Sequence, residues 1–358
     1  MATGQIGNFQ RRLENLHAGN GGGGFTNGIT MNSASSMRRP GSFAELGEQE
    51  GMNRYLVNPD ADDASVAPPK STLQGGTLPG GIAVWTGGAV NFGKMQAGAS
   101  DNGIDFTTSG LSMGVDKAFS SSFAAGLGVG YGHDASDVGQ HGSRSALDSY
   151  NVAMYASYHP ANSIYIDGLL GYQWLQFDAR RYVTDNGDTV HGSRDGEQFF
   201  GSLSVGYEHQ ADNMLLTPYG RLDVAHARLD AFTETGDAVY ALAYQRQTVQ
   251  TSTGTLGLLA QWTAKRDYGV WSPQLRVEFG HDMQGSDMAT MRYADVLNGP
   301  LYQATLINQS RNHSMLGAGL ALQTLKGWLL RMEYQSYFDS SSSGNQSILL
   351  GVEKKFDP

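Results

Sequence analysis

From Ile82 to Phe356 the chain alternates apolar and polar residues in one segment after another. The connections between those segments alternate short and long. Successive side chains of a strand point to opposite faces, so a period of two gives each strand one apolar face and one polar face. Trp271, Leu275, Val277 and Phe279 oppose Gln274, Arg276 and Glu278. Phe199, Leu203, Val205 and Tyr207 oppose Ser202, Ser204 and Glu208. Leu330, Met332 and Tyr334 oppose Arg331, Glu333 and Gln335, and Ile348, Leu350 and Val352 oppose Leu349, Gly351 and Glu353. The pattern predicts an all-β chain of about 12 antiparallel up-and-down strands, the architecture of a transmembrane β-barrel.

A soluble sandwich would bury the apolar face, whereas a membrane barrel turns it to lipid and lines its lumen with the polar one. Three features favour the barrel. Full charges stand at mid-strand on the polar face: Asp167, Arg221, Asp223, Arg276, Glu278, Arg331 and Glu333 are the expected lumen-facing residues. The strands are long, about ten residues or more, as a tilted spanning strand requires. Aromatics gather near strand ends (Phe119, Phe123, Tyr131, Tyr158, Trp174, Tyr207, Trp262, Trp271, Trp328 and Phe356), where an interfacial girdle would sit. Gly126, Gly128, Gly130 and Gly132 fall on one parity, which predicts a strand face packed closely against something in the lumen.

The connections set the orientation. Tight turns are expected near Ser120 to Ser122, Pro160 to Ser163, Gln210 to Asn213, Lys265 to Asp267 and Lys326 to Gly327. Long stretches rich in Asp, Gly, Ser and Asn lie between them, among them Arg180 to Gly196, Asp230 to Tyr244 and His281 to Tyr302. With short turns on the periplasmic side and long loops outside, an even strand count places both ends of the barrel in the periplasm.

Composition narrows the classes further. A helical membrane protein needs apolar runs of about twenty residues, and this chain has none. A barrel hides its hydrophobicity in alternate positions, so a mean hydropathy of −0.35 is no objection. The absence of Cys suits a chain that crosses the periplasm unfolded. A net charge of −10 gives no basic surface for nucleic acid. None of the nine His falls in a His-Glu-x-x-His spacing. The Gly126-x-Gly128-x-Gly130 run lies inside a strand rather than before a helix, which excludes a phosphate loop. No Gly-x-Ser-x-Gly appears on a strand-to-helix turn. The expectation is a chain that is not an enzyme and uses no cofactor or metal.

The first eighty residues differ. In residues 1–17, Ile6, Phe9, Leu13 and Leu16 recur at helical spacing with Arg11, Arg12 and Glu14 between them. Thr3 is a candidate N-cap, and glycines from Gly19 onward stop the helix. A helix this short and polar is marginal in water and needs an enclosing surface. Residues 18–80 read as a Gly/Pro-rich linker with a weak second helix near 43–56, and 81–358 as the barrel. Met1-Ala2-Thr3 shows no charged and apolar leader, so the chain reads as the C-terminal part of a longer precursor.

With these residues in view, the chain resembles the C-terminal translocator domain of a bacterial autotransporter (type V secretion). Gln5-Ile6-Gly7-Asn8-Phe9-Gln10-Arg11-Arg12-Leu13 resembles the pore helix of that family. Gly103 to Asp116, Leu216-Thr217-Pro218-Tyr219-Gly220-Arg221-Leu222-Asp223 and the last strand to Phe356 are similar to its strands. The resemblance implies a monomeric barrel of about 12 strands in the outer membrane of a Gram-negative bacterium. The same resemblance implies a helix through its pore and an N-terminal passenger exported to the cell surface. Its pore-helix residues here would be Gln5, Ile6, Asn8, Phe9, Arg11, Arg12, Leu13 and Leu16. Its partners would be outer-membrane lipid, the passenger and the barrel-insertion machinery, which would read Ile348, Leu350, Val352 and Phe356. Some members cut the passenger free between two adjacent Asn of the pore helix. The matching place here reads Gly7-Asn8, which argues against such self-cleavage. Asp357 and Pro358 follow the terminal aromatic, and Lys354 stands where an apolar residue is usual. The alternative is a stand-alone porin or adhesin-like barrel that binds a partner through its long loops, which would have no use for the N-terminal helix.

Overall fold

The computed structural model describes residues 2–16, 25–33, 82–95, 104–139, 141–161, 163–284, 288–296, 298–305, 311–325, 328–339 and 345–354. It opens with helix α1 (Ala2–Asn15) and strand β1 (Phe25–Ser33). The wall then begins with β2 (Ile82–Met95), β3 (Ile104–Ser120), β4 (Phe123–Val138), β5 (Ser143–Ala161) and β6 (Ile164–Tyr182). Next come β7 (Thr189–Tyr207), β8 (His209–Ala211), β9 (Met214–Leu229), β10 (Phe232–Thr233) and β11 (Leu242–Tyr244). They are followed by β12 (Gln247–Trp262), β13 (Ala264–Arg266), β14 (Gly269–Asp282), β15 (Met288–Tyr293) and β16 (Tyr302–Thr305). The last are β17 (Asn312–Thr324), β18 (Trp328–Asp339) and β19 (Asn345–Lys354).

Counting β8 with β7 and β13 with β12, twelve antiparallel staves run from β2 to β19, and β9 pairs with β12 to carry the sheet round. Closure uses one more strand. β1 lies between the last stave and the first, antiparallel to β19 and parallel to β2. These nine residues fall in the stretch read from sequence as linker. Their sequence, Phe-Thr-Asn-Gly-Ile-Thr-Met-Asn-Ser, alternates weakly. The unpaired edges of β2 and β19 supply the ladder that makes it a strand. The suggested helix near 43–56 and the terminal Phe356 lie outside the described residues.

Where side chains are described, the staves obey the predicted parity. On β3, Leu111, Met113 and Val115 are exposed while Ser112 and Asp116 are buried. On β5, Tyr150, Val152 and Met154 are exposed while Asn151, Ala153 and Tyr155 are buried. On β14, Leu275, Val277 and Phe279 are exposed while Arg276 and Glu278 are buried. Among the described residues an apolar belt therefore faces outward from β3 to β18, far larger than a monomeric water-soluble surface carries. Aromatics rim this belt. Tyr131 meets Tyr150 across β4 and β5, and Phe119 meets Phe123 at the β3–β4 turn.

Tight turns gather at one rim, as at Asp212, which joins β8 to β9 in a left-handed conformation (φ 48°) that Asp tolerates. Long connections gather at the other rim and are partly ordered. β10, β11, β15 and β16 form a separate four-stranded sheet from residues read as loop. It accompanies a small apolar cluster of Val183, Val190 and Ala241.

Candidate functional site

The inner wall is built around α1. The helix starts at Ala2, so Thr3 lies within its first turn rather than at the N-cap. Its apolar stripe, Ile6, Phe9, Leu13 and Leu16, is buried against Trp85, Ala153, Tyr155, Leu169, Phe200 and Ala225 of the lumen face. At 3.6 residues per turn, Asn8 and Arg12 share one flank of the helix, and Gln10 and Glu14 share another. Both flanks find partners, because the lumen surrounds the helix.

On the first flank, Asn8 Nδ2 donates to Ser112 Oγ (3.1 Å). Arg12 clamps Asp116 with two parallel bonds, Nε to Oδ2 (2.7 Å) and Nη2 to Oδ1 (2.8 Å). The Tyr155 hydroxyl donates to the same carboxylate (3.0 Å). On the second flank, Gln10 Nε2 donates to Ser202 Oγ (3.1 Å) and Asp223 Oδ1 (2.9 Å). Arg276 donates to both oxygens of Glu14 (2.9 and 3.2 Å). The pair Arg12–Asp116 is almost wholly buried. It can stay charged there only because fork geometry and the tyrosine hydroxyl replace water.

β3 runs from the loop rim to the turn rim, so Ser112 lies nearer the loops than Asp116. The helix therefore starts toward the long connections and descends toward the tight turns. Phe9 is the centre of the contact. Its ring meets Trp85 edge to face with centroids 5.4 Å apart, and Tyr155 at 5.8 Å. Glycines make the room: a Cβ at Gly128 would come within 2.5 Å of the Phe9 ring, and one at Gly126 would strike the Tyr155 ring.

Of the charges expected in the lumen, Arg221, Asp223, Arg276, Glu278 and Glu333 form one network. Arg221 pairs with Asp223 (2.9 Å) and Glu278 (3.4 Å), and Arg276 approaches Glu278 (3.7 Å) and Glu333 (3.5 Å). Tyr219 links Arg276 and Glu278, and Gln274 Nε2 donates to Glu333 (3.0 Å). Arg11 belongs to α1. Asp167 is buried on β6, in register with Ser204. Arg331 shares the parity of Glu333, in register with Ala321 and Gly351. Ile348, Leu350 and Val352 pair in register with Tyr334, Met332 and Leu330, and Gln5 belongs to α1. The sequence reading missed Asp116, Tyr155, Trp85 and Tyr219. Their signal was available: each sits on the polar or small parity of its strand, where a large or charged residue has to find a lumen partner.

The loop rim carries a second polar cluster. Arg181 forms two bonds to Glu234 (3.0 and 2.6 Å) and one to the Tyr240 carbonyl (2.9 Å). Asp237 accepts the main-chain N–H groups of Val239 and Tyr240 (2.7 Å each) and an amide bond from Asn186 (2.6 Å). These bonds, that of the Tyr240 N–H first, hold the Asp237 carboxyl below the usual carboxylate range.

Residues 84–335 match the family model of the autotransporter beta-domain. The chain belongs to that family. This autotransporter domain is 25% identical over 270 residues to the extracellular serine protease of Serratia marcescens, covering 73% of this chain and 25% of that one. It is also 25% identical over 208 residues to the esterase EstA of Pseudomonas aeruginosa, covering 56% and 31%. The domain thus spans between a quarter and a third of these relatives. Among solved structures, the translocator domain of NalP from Neisseria meningitidis superposes with a TM-score of 0.59 at 20% identity, covering 77% of this chain and 87% of that one. The beta domain of the Bordetella autotransporter BrkA gives 0.53 at 18% identity, covering 77% and 99%. At these identities the likeness is one of fold: a translocator barrel.

Proposed function

We propose that this domain anchors an N-terminal passenger in the outer membrane of a Gram-negative bacterium and serves as the conduit for its export to the cell surface. The observation that carries the reading is the direction and fixation of α1. Its start faces the long connections, and Arg12–Asp116 and Glu14–Arg276 lock it to opposite walls of the lumen. A stand-alone porin would gain nothing from a lumen-filling helix. The domain acts as a monomer, without catalysis, nucleotide, metal or organic cofactor. A barrel of about twelve strands passes only an extended chain or one helix, and the drive comes from folding of the passenger outside. The insertion machinery reads the last strand through Ile348, Leu350, Val352 and Phe356.

A reporter peptide fused before Thr3, behind a signal peptide, should become sensitive to protease added to whole cells. A reporter that stays periplasmic while the barrel shows heat-modifiable gel mobility would overturn the reading in favour of a porin. Deleting residues 2–17 should raise single-channel conductance in planar bilayers, and unchanged conductance would remove α1 as the plug.

A further inference from the structure

One row of the lumen wall holds buried amide groups without partners among the described residues. Asn151 on β5, Gln173 on β6 and Gln198 on β7 are direct register partners. All three are on the buried parity, exposed by only 2%, 1% and 7%. Asn151 Nδ2 and Oδ1, Gln173 Oε1 and Gln198 Oε1 have no hydrogen-bond partner among the described residues. Buried amides left without partners are costly, and a native wall seldom keeps three together.

The location of the row points to its use. Ala153, Phe200 and Ala225, which pack with Ile6 and Phe9, lie one inward step toward the turn rim. One inward step toward the loop rim, Leu175 and Leu229 belong to an apolar cluster on one side of the wall that includes Leu147 and Phe177. The row therefore lies between the residues that hold α1 and this apolar cluster, on the way from the start of the helix to the loop rim.

We infer that Asn151, Gln173 and Gln198 are a docking rail for the main chain of the polypeptide in transit, a role that rests on the translocation reading above. An extended chain passing the apolar cluster in the narrow lumen of a twelve-stranded barrel must shed water from its peptide N–H and C=O groups. A side-chain amide offers both a donor and an acceptor, so it can pair with either main-chain group whatever the passing side chain. Carboxylates or lysines would select by charge and slow some sequences. Amides do not, and a passage for a whole passenger has to be indifferent to sequence. The row lowers the desolvation barrier beside the apolar cluster by replacing lost water contacts one peptide group at a time.

Two measurements on the full-length protein test this. The first follows surface arrival of a protease-sensitive reporter by pulse-chase in the triple variant Asn151→Leu, Gln173→Leu, Gln198→Leu. Heat-modifiable mobility reports folding of the barrel. Export should slow by about tenfold, the rate equivalent of roughly one net hydrogen bond. The amide-keeping set Asn151→Gln, Gln173→Asn, Gln198→Asn should export at close to the wild-type rate. If the triple variant folds poorly, Gln173→Leu alone carries the same test with a smaller delay.

The second exploits the absence of cysteine from the chain. Gln173→Cys should form a disulfide with single cysteines along a reporter stalled in the pore, at odd and even positions alike. Unchanged export in a folded triple variant, or a Gln173→Cys that never reaches the stalled chain, overturns the rail and leaves translocation standing. A wild-type reporter that never reaches the surface overturns both.

Discussion

On β4, Leu127 and Val129 point outward and are largely exposed, whereas Gly126 and Gly128, which alternate with them, face the lumen, where one added carbon would strike Tyr155 or Phe9. The same contrast runs round the wall. Outward, Leu275 and Val277 need only be apolar, because lipid adapts to any shape. Inward, Arg276 has a defined set of partners: Glu14, Tyr219, Glu278 and Glu333. One face is thus specified by polarity alone and the other by individual contacts. Substitutions on the outer face should be tolerated unless they bring charge, and those on the inner face unless they break a particular fit.

The largest effect should follow Asp116→Ala. It leaves the Arg12 guanidinium buried without its carboxylate, a loss of about 3–5 kcal/mol that falls on docking of the helix rather than on the wall. The variant should keep heat-modifiable mobility and conduct ions more freely than the wild type. A closed pore would show that the clamp is dispensable.

Next, Val277→Arg on the outer face should cost about 2–4 kcal/mol if it lies near the bilayer midplane, as should Leu330→Arg. Glu333→Gln on the inner face should cost much less. Urea titrations of refolding into vesicles would read the difference. Equal penalties on the two faces would break the comparison.

Adjacent positions sharpen it further. Gly128→Val places methyl groups against the Phe9 ring, an overpacking of about 1–3 kcal/mol that should loosen the helix and raise conductance. Leu127→Val, one residue away, should leave conductance unchanged.

The smallest effect lies at the loop rim. Because folding lowers the Asp237 pKa, its contribution is fully present above the unfolded carboxylate pKa. It is lost as pH falls through the folded value. Acid should therefore loosen the turn at Val239 and Tyr240 before it affects the barrel. Asp237→Asn should remove that acid sensitivity, as followed by proteolysis of the loop. Identical acid profiles in the two proteins would refute the linkage.

The outward parity of the staves was legible in the chain itself, down to the pairs Val277/Arg276 and Leu203/Ser202. A strand's two faces are a local property with a period of two. So was the amphipathic stripe Ile6, Phe9, Leu13 and Leu16, and so was the glycine parity of β4. Partner choice was not legible. Arg12 meets Asp116 across 104 residues, and Arg276 meets Glu14 across 262. No local period encodes such pairs, because they depend on register summed round a closed sheet. The loop strands Phe232–Thr233, Leu242–Tyr244, Met288–Tyr293 and Tyr302–Thr305 form only because two separate connections meet at one rim. Phe25–Ser33 becomes a strand only because β2 and β19 offer it two edges. The sequence by itself determined which residues can face lipid, since polarity and spacing suffice for that. The tertiary structure alone decided which wall residues hold the helix and what closes the wall, since both require segments far apart in the chain to arrive at matching height.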